Sequence, residues 1–481
     1  MSAVNNARWI AASQAAKIAV QFVSVAVLAR LLTPADYGLI AMVWVVGNLA
    51  TLLRDMGTAA AIVQEPDLTD ETTNSVYWFN VAVGTSLCLG LLALSHPIAG
   101  VFRTDAVVQL LYALAPTFLI SSLGSVHRAL LERRSAFRIV ATVEIATSVF
   151  GLIVTIVAAW FGAGAMSFVL GMLTMSTVST VAFWNSARWR PGRIAGSERF
   201  RAVLRFSGHL SAFNLVNYFA RNADAFVIGR YLGASALGIY STAYKVMLFP
   251  LQNMTFVANR ALFPVMCRFK TTAEMRSLYL KSVSVIAMLT APLMAGVFVL
   301  REPFIHTFLG AKWHAAADVL IWLAPVGFLQ SIVSTTGTVS MVRGRTDQLM
   351  VIGLVVAGLQ VISFFIGVRW GVMGVASCYF VANLIGAVPA LAVALKLLDA
   401  KFSELLRQIW AAIACALLMG CGIRAMEKWL LPPESSALLH LLAGIATGAV
   451  IYGALMLVLF PGRVRLAFTL VPDFRPRGAQ S

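Results

Sequence analysis

The residues of this 481-residue chain most able to do chemistry are charged side chains inside apolar runs. Lys17, Arg30, Arg54, Arg221, Arg230, Lys245 and Arg260 all fall in such runs, against only Asp55, Glu144 and Asp224 as acids. A base at the centre of a membrane helix costs roughly 2.5–3.5 kcal/mol on insertion scales, so it faces a partner or a water-filled cavity. Arg30 and Arg230 lie beside short turns, where an anchoring role at the interface suffices. Lys17, Arg54, Arg221 and Arg260 lie deeper, and the acids present are too few to neutralise them. Such a basic set suits an anionic substrate such as a diphosphate, which takes charge-assisted hydrogen bonds from arginine and point-charge attraction from lysine. Glu144, Asp224 and Asp55 are the candidates for ion coupling, because a carboxylate within a span can carry a proton or a cation. The rival roles are plain pairings: Glu144 with Arg133, Arg134 or Arg138, Asp224 with Arg221, and Asp55 with Arg54.

The elements that must position these groups are apolar segments of about 20 residues, the length of a bilayer-crossing helix. Fourteen can be marked, beginning 8–32, 38–63, 73–95, 107–131, 137–160 and 165–187, and ending with 437–460. Lipid obliges each span to satisfy its own backbone, which at these lengths means helices. Composition agrees: 59% of residues are hydrophobic and 12% charged, too few charges to cover a soluble exterior. The expected fold is therefore an all-α polytopic membrane protein. The first run carries Lys17 and lacks a short apolar core with a small-residue cleavage site, so it reads as a retained helix.

A net charge of +17 raises nucleic acid as a partner, but its placement points to topology. Roughly two thirds of the 37 Lys and Arg fall on one side of alternating spans, which puts both termini in the cytoplasm. Arg103, Arg301, Lys312, Arg369, Arg424 and Lys428 fall on the other side. No basic-aromatic platform accompanies the charge, so no nucleic-acid partner is expected. The five cysteines have no metal-ligand or disulfide spacing and read as packing residues. The six histidines are scattered, and neither HExxH nor GxxxxGK[ST] occurs, so no catalytic set, metal or ATP site is expected. Trp44 reads as a packing residue, with stacking on a sugar ring as its alternative.

The chain also repeats itself at an offset of 200 residues. ARLLTPADYGLI at 29–40 matches GRYLGASALGIY at 229–240, with Arg30/Arg230, Leu32/Leu232 and Gly38/Gly238 identical. In the preceding run Gln14, Lys17, Gln21 and Ser24 share one helix face, and Asn214, Asn217, Arg221 and Asp224 hold the same offsets in the second copy. Gln21 and Asn217 thereby join Arg54, Arg260, Arg221 and Lys17 as substrate-binding candidates. The organisation expected is an N-lobe of six spans at 1–187, a basic linker with an amphipathic helix at 188–205, and a C-lobe of six spans at 206–395. Two further spans at 396–460 and a basic cytoplasmic tail at 461–481 follow. An even number of spans per copy makes this a parallel repeat. The linker's arginines can also grip anionic lipid headgroups.

RLLTPADYGLIAM, then DMGTAAAIVQEPDLTDETTNSVYWFN, and NADAFVIGRYLGASALGIYSTAY in the second copy resemble the polysaccharide exporter family, the Wzx-type flippases of the colanic-acid and teichuronic-acid branch. The resemblance covers essentially the whole chain and places it in the multidrug/oligosaccharidyl-lipid/polysaccharide superfamily. It implies flipping of an undecaprenyl-diphosphate-linked oligosaccharide repeat unit across the bacterial inner membrane, with two lobes alternating access to a central cationic cavity. The partners implied are the lipid-linked substrate, membrane lipids, and polymerase and chain-length or export proteins. No cofactor is implied beyond coupling to H+ or Na+. In the related lipid II flippases, arginines on spans 1, 2 and 8 line the cavity. Arg54 and Arg260 match the latter two, and Lys17 the first only approximately. The competing readings are a cation-coupled drug exporter, which calls for an acidic or aromatic cavity, and a membrane glycosyltransferase or polymerase. The latter calls for a large outer catalytic loop, and the longest outer connection, 301–317, is short.

Overall fold

The computed structural model describes residues 9, 14, 20–21, 23–54, 62–63, 68–193, 218, 221–269, 271–432 and 435–464, with backbone alone for 249–261. Helix dominates, and the described residues contain no strand. Ten helical stretches among them are long and apolar enough to cross a membrane. One, Thr346–Leu397, spans two of the expected runs, while 8–32 and 206–232 lie largely outside the described residues. Their chain contacts divide into two compact units, Met1–Gly238 and Ile239–Ser481.

The first unit holds α1 (Pro34–Arg54), α2 (Asp70–Phe102), α3 (Ala106–Leu114), α4 (Pro116–Arg133), α5 (Phe137–Trp160), α6 (Met166–Ala187) and the start of α7 (Ala223–Met266). A helix covering 23–31 ends at Leu31, and α1 begins three residues later. Pro34 occupies the first helical position, where its missing N–H is no loss. Thr33 and Asp36 cap α1 reciprocally: the Thr33 amide donates to Asp36 Oδ2 at 2.9 Å, and the Asp36 amide to Thr33 Oγ1 at 3.2 Å. The other Asp36 oxygen accepts from the Ala165 amide at 3.0 Å. That bond ties the corner to the α5–α6 turn, where Gly162 and Gly164 supply the positive φ the reversal needs.

The second copy of the corner lies inside α7. Gly233, at φ 83° and ψ −178°, breaks the helix between the two expected spans. The two corners touch reciprocally. A Cβ on Gly38 would overlap the Ala234 backbone, and one on Gly238 would overlap the Pro34 carbonyl. Residues 34 and 234, like 38 and 238, are partners under the 200-residue offset.

Elsewhere small residues set the spacing, as expected where lipid offers no hydrophobic drive between helices. Gly171 of α6 packs against Thr155 and the Gly151 carbonyl of α5, and Gly151 packs against Met175. Large side chains such as Phe150, Ile153 and Val157 stay exposed on the outer face of α5. Helix α4 lies between α2 and α6, so α1, α4, α5 and α6 are held in one bundle.

The second unit contains α8 (Thr272–Val299), α9 (Arg301–Phe308), α10 (His314–Val333), α11 (Thr336–Val342), α12 (Thr346–Gly367), α13 (Gly371–Leu397), α14 (Phe402–Leu430) and α15 (Ala437–Leu459). Helix α8 packs on α10 and α14, α12 pairs with α13, and α14 with α15. Arg276 of α8 forks onto Glu404 of α14, with Nε donating at 2.8 Å. Gln330 of α10 donates to Tyr379 Oη and Asn383 Oδ1 of α13 at 2.8 and 3.0 Å. These polar contacts specify helix pairings that apolar packing alone leaves loose.

Candidate functional site

A cavity of about 350 Å³ opens among four helices of the first unit. Each contributes residues three or four apart, one face of a helix. Trp44, Gly47, Asn48, Thr51 and Arg54 come from α1, and Thr117, Phe118, Ser121 and Arg128 from α4. Glu144, Thr147 and Ser148 come from α5, and Met172, Met175, Ser176, Ser179 and Phe183 from α6.

Arg54 sits in the last turn of α1 and donates from Nη1 to Ser121 Oγ at 2.6 Å. Ser121 in turn donates to the Phe118 carbonyl at 3.2 Å. Most other hydroxyls spend their protons on carbonyls one turn back: Thr51 on Gly47, Ser148 on Glu144, and Ser176 on Leu173. Each keeps lone pairs for accepting. The strong donors facing the cavity are therefore the guanidiniums of Arg54 and Arg128. Arg128 Nη2 pairs with Glu144 Oε1 at 2.9 Å, and its Nε donates to Glu132 Oε1 at 2.8 Å. Glu144 is the more enclosed partner, its side chain 18% exposed against 49% for Arg128.

Of the sequence-predicted residues, the structure brings Arg54 and Glu144 into one cavity. Glu144 pairs with Arg128, which was not among the arginines weighed from sequence. Arg133 donates to the Ile62 carbonyl, Arg134 to the Ala187 carbonyl, and Arg138 lies over the Trp9 ring. Gln21 is helical and exposed, and Arg221 is exposed at the turn before α7. Asp224 is half-buried in the first turn of α7, where its Oδ1 accepts from the Ala225 amide at 2.7 Å. Arg260 has its backbone in α7 and its side chain outside the described residues; Lys17, Asp55 and Asn217 lie outside them altogether. Trp44 packs edge-on against Phe168 at 6.1 Å and also lines the cavity.

Sequence reasoning missed Arg128, which the charge count places at an inner helix end. It also passed over the hydroxyl stripes. Thr117 and Ser121, Thr147 and Ser148, and Ser176 and Ser179 carry the helical spacing that would have flagged them. Among the described residues no group of three or more His, Cys, Asp or Glu is placed to hold a metal ion.

Fold and site together define a multi-pass helical membrane protein with an arginine-bearing, hydroxyl-lined cavity among its spans. The chain belongs to the polysaccharide biosynthesis protein family, whose pattern matches residues 27–318. It is 28% identical over 412 residues to the lipopolysaccharide biosynthesis protein WzxC of Escherichia coli K12, covering 85% of this chain and 84% of that one. It is 26% identical to the teichuronic acid biosynthesis protein TuaB of Bacillus subtilis 168, over 95% of this chain and 96% of that one. Among solved structures, the lipid II flippase MurJ in an inward closed conformation shares its fold, with a TM-score of 0.76 over 95% of this chain and 99% of that chain, at 15% identity. The resemblance read from the two corner motifs and their flanks is thus borne out at the level of the family.

Proposed function

We propose that this protein is a flippase that moves an undecaprenyl-diphosphate-linked oligosaccharide repeat unit from the inner to the outer leaflet of the bacterial inner membrane, supplying surface polysaccharide synthesis. The observation that carries this is Arg54, a guanidinium presented in a hydroxyl-lined cavity enclosed by four membrane helices. A diphosphate-sugar headgroup cannot cross hydrocarbon unaided, whereas its lipid tail is at home there. A basic cavity substitutes for the headgroup's lost hydration with fixed charged donors, and hydroxyl oxygens accept from the sugar. The family match, and relatives named for lipopolysaccharide and teichuronic acid biosynthesis, support a polysaccharide precursor as the cargo. The fold shared with a named lipid II flippase supports translocation as the activity.

In this reading fourteen spans form two related six-helix lobes with two further helices, and both termini face the cytoplasm. Alternating exposure of the binding residues to the two faces carries the headgroup across without a chemical step. Arg54 leads the contacts, with Arg260, Arg221, Lys17, Gln21 and Asn217 as further ones. Glu144, Asp224 and Asp55 are the candidates for H+ or Na+ coupling. Polymerase and chain-length or export proteins are the expected neighbours.

The test is a chromosomal Arg54→Ala, and separately Arg260→Ala, with surface polymer and membrane-embedded protein both quantified. Polymer should fall and the lipid-linked intermediate should accumulate while protein levels hold. Normal polymer in both variants would remove the basis of the proposal.

A further inference from the structure

The polar lining of the first-unit cavity is not uniform. Every hydroxyl in it, from Thr51 on α1 to Ser179 on α6, donates to a carbonyl three or four residues back on its own helix. Those oxygens are left to accept, while the guanidiniums of Arg54 and Arg128 can only donate. One side chain differs from both kinds. Asn48 of α1 lines the cavity, is exposed, and makes no side-chain hydrogen bond with any described residue. Its amide presents donors and an acceptor in one plane. A bare polar group in a membrane span belongs at a water-filled cavity, which is where Asn48 stands.

Asn48 shares its helix face with two other chemistries. Trp44 lies one turn before it and Arg54 six residues after it, and both line the same cavity. Trp44 is half-buried: it packs against Phe168 and leaves part of its indole to the cavity. At the helical rise, Asn48 and Trp44 stand about 9 and 15 Å from Arg54 along the axis of α1.

A sugar ring carries the complementary features: hydroxyls that each donate and accept, and an apolar face of C–H bonds. Neighbouring ring hydroxyls can meet a planar amide with two hydrogen bonds at once, and the C–H face can lie on an aromatic ring. A diphosphate has neither feature; it only accepts, and a guanidinium suits it better. We propose that Trp44 and Asn48 form a sugar subsite, in which Asn48 bonds ring hydroxyls and Trp44 stacks on the C–H face of a sugar attached to an Arg54-bound diphosphate. The proposal rests on the flippase reading and adds a division of labour along α1. Arg54 takes the part common to every lipid diphosphate, while Asn48 and Trp44 read the part that distinguishes one repeat unit from another. Discrimination follows because an amide placed for hydroxyls loses its bonds to a ligand that lacks them.

The experiment compares two ligands on the purified full-length protein in nanodiscs: the lipid-linked oligosaccharide extracted from a deletion strain, and undecaprenyl diphosphate, which bears no sugar. The variants are Asn48→Ala, Trp44→Phe, Trp44→Leu and Arg54→Gln. The parent should hold the oligosaccharide-bearing lipid more tightly than the bare one. Asn48→Ala should weaken binding of the oligosaccharide-bearing lipid about tenfold, the scale of two neutral hydrogen bonds, and leave the bare lipid unchanged. Trp44→Phe should keep most of the preference and Trp44→Leu should lose it, since only the first retains an aromatic face. Asn48 projects into the cavity, so its variant decides the matter even where Trp44→Leu fails to fold. Arg54→Gln should weaken both ligands alike. If Asn48→Ala leaves both affinities at the parent's values, or lowers both equally, the sugar subsite is wrong and the flippase reading stands on Arg54. If the deletion strain accumulates no lipid-linked oligosaccharide and makes normal polymer, both readings fall together.

Discussion

At the scale of single residues, what separates Arg54 from the other intramembrane bases is the partner it has been given. A hydroxyl on α4, Ser121, accepts from its guanidinium and holds it toward the cavity. Ser121→Ala should therefore loosen Arg54 while leaving its charge in place, lowering export several-fold, about the effect of one hydrogen bond to a charged group. Polymer output at unchanged protein level is the measurement, and output equal to the parent would show that Ser121 does not position Arg54. Arg54 was legible in the sequence because an arginine in an apolar run is costly and needs a reason. Arg128 was not, because near a helix end the same residue type reads as an ordinary inner-side charge. Its importance lies in reaching Glu144, and that depends on α4 and α5 lying side by side.

At the scale of elements, the corner at 33–36 does more than stop one helix and start another. Thr33, Pro34 and Asp36 build the cap of α1, and Asp36 adds a bond to the α5–α6 turn. Asp36→Ala removes the cap and the cross-turn bond together. It should cost about 1–3 kcal/mol, seen as a lowered unfolding temperature in detergent, with Asp36→Asn milder because an amide oxygen still accepts. A variant as stable as the parent would mean the corner is held by other contacts. Between α5 and α6 the close approach at Gly171 leaves no room for a side chain beside Thr155. Gly171→Leu should sharply reduce folded protein, whereas Leu170→Val, at an exposed position next to it, should be tolerated. Proline in the corner and glycines in the spans are visible in sequence; the second role of Asp36 is not, since its partner Ala165 lies 129 residues away.

At the scale of the whole molecule, the charge asymmetry predicts an orientation. On that orientation the α4–α5 turn at Ser135 is expected on the inner side and the α5–α6 turn at Phe161 on the outer side. Phe161 is 84% exposed, which makes it a suitable labelling site. In a variant lacking the five native cysteines, Phe161→Cys should react with an impermeant maleimide on intact spheroplasts, and Ser135→Cys only after permeabilisation. The reverse pattern would invert the topology. The sequence by itself determined that this is a helical membrane protein, that it carries a corner at two places 200 residues apart, and that Arg54 and Glu144 are charges needing an explanation. Composition and helical spacing suffice for those, because they depend on one segment at a time. Only the tertiary structure decided that α1, α4, α5 and α6 turn their polar faces toward one cavity, that Arg128 is Glu144's partner, and that the two corners meet backbone to backbone at Gly38 and Gly238. The reason is physical. Lipid is as apolar as a packed helix interface, so hydrophobicity does not distinguish the face that meets lipid from the face that meets protein. Small residues and polar partners make that choice, and they act only once the helices are side by side.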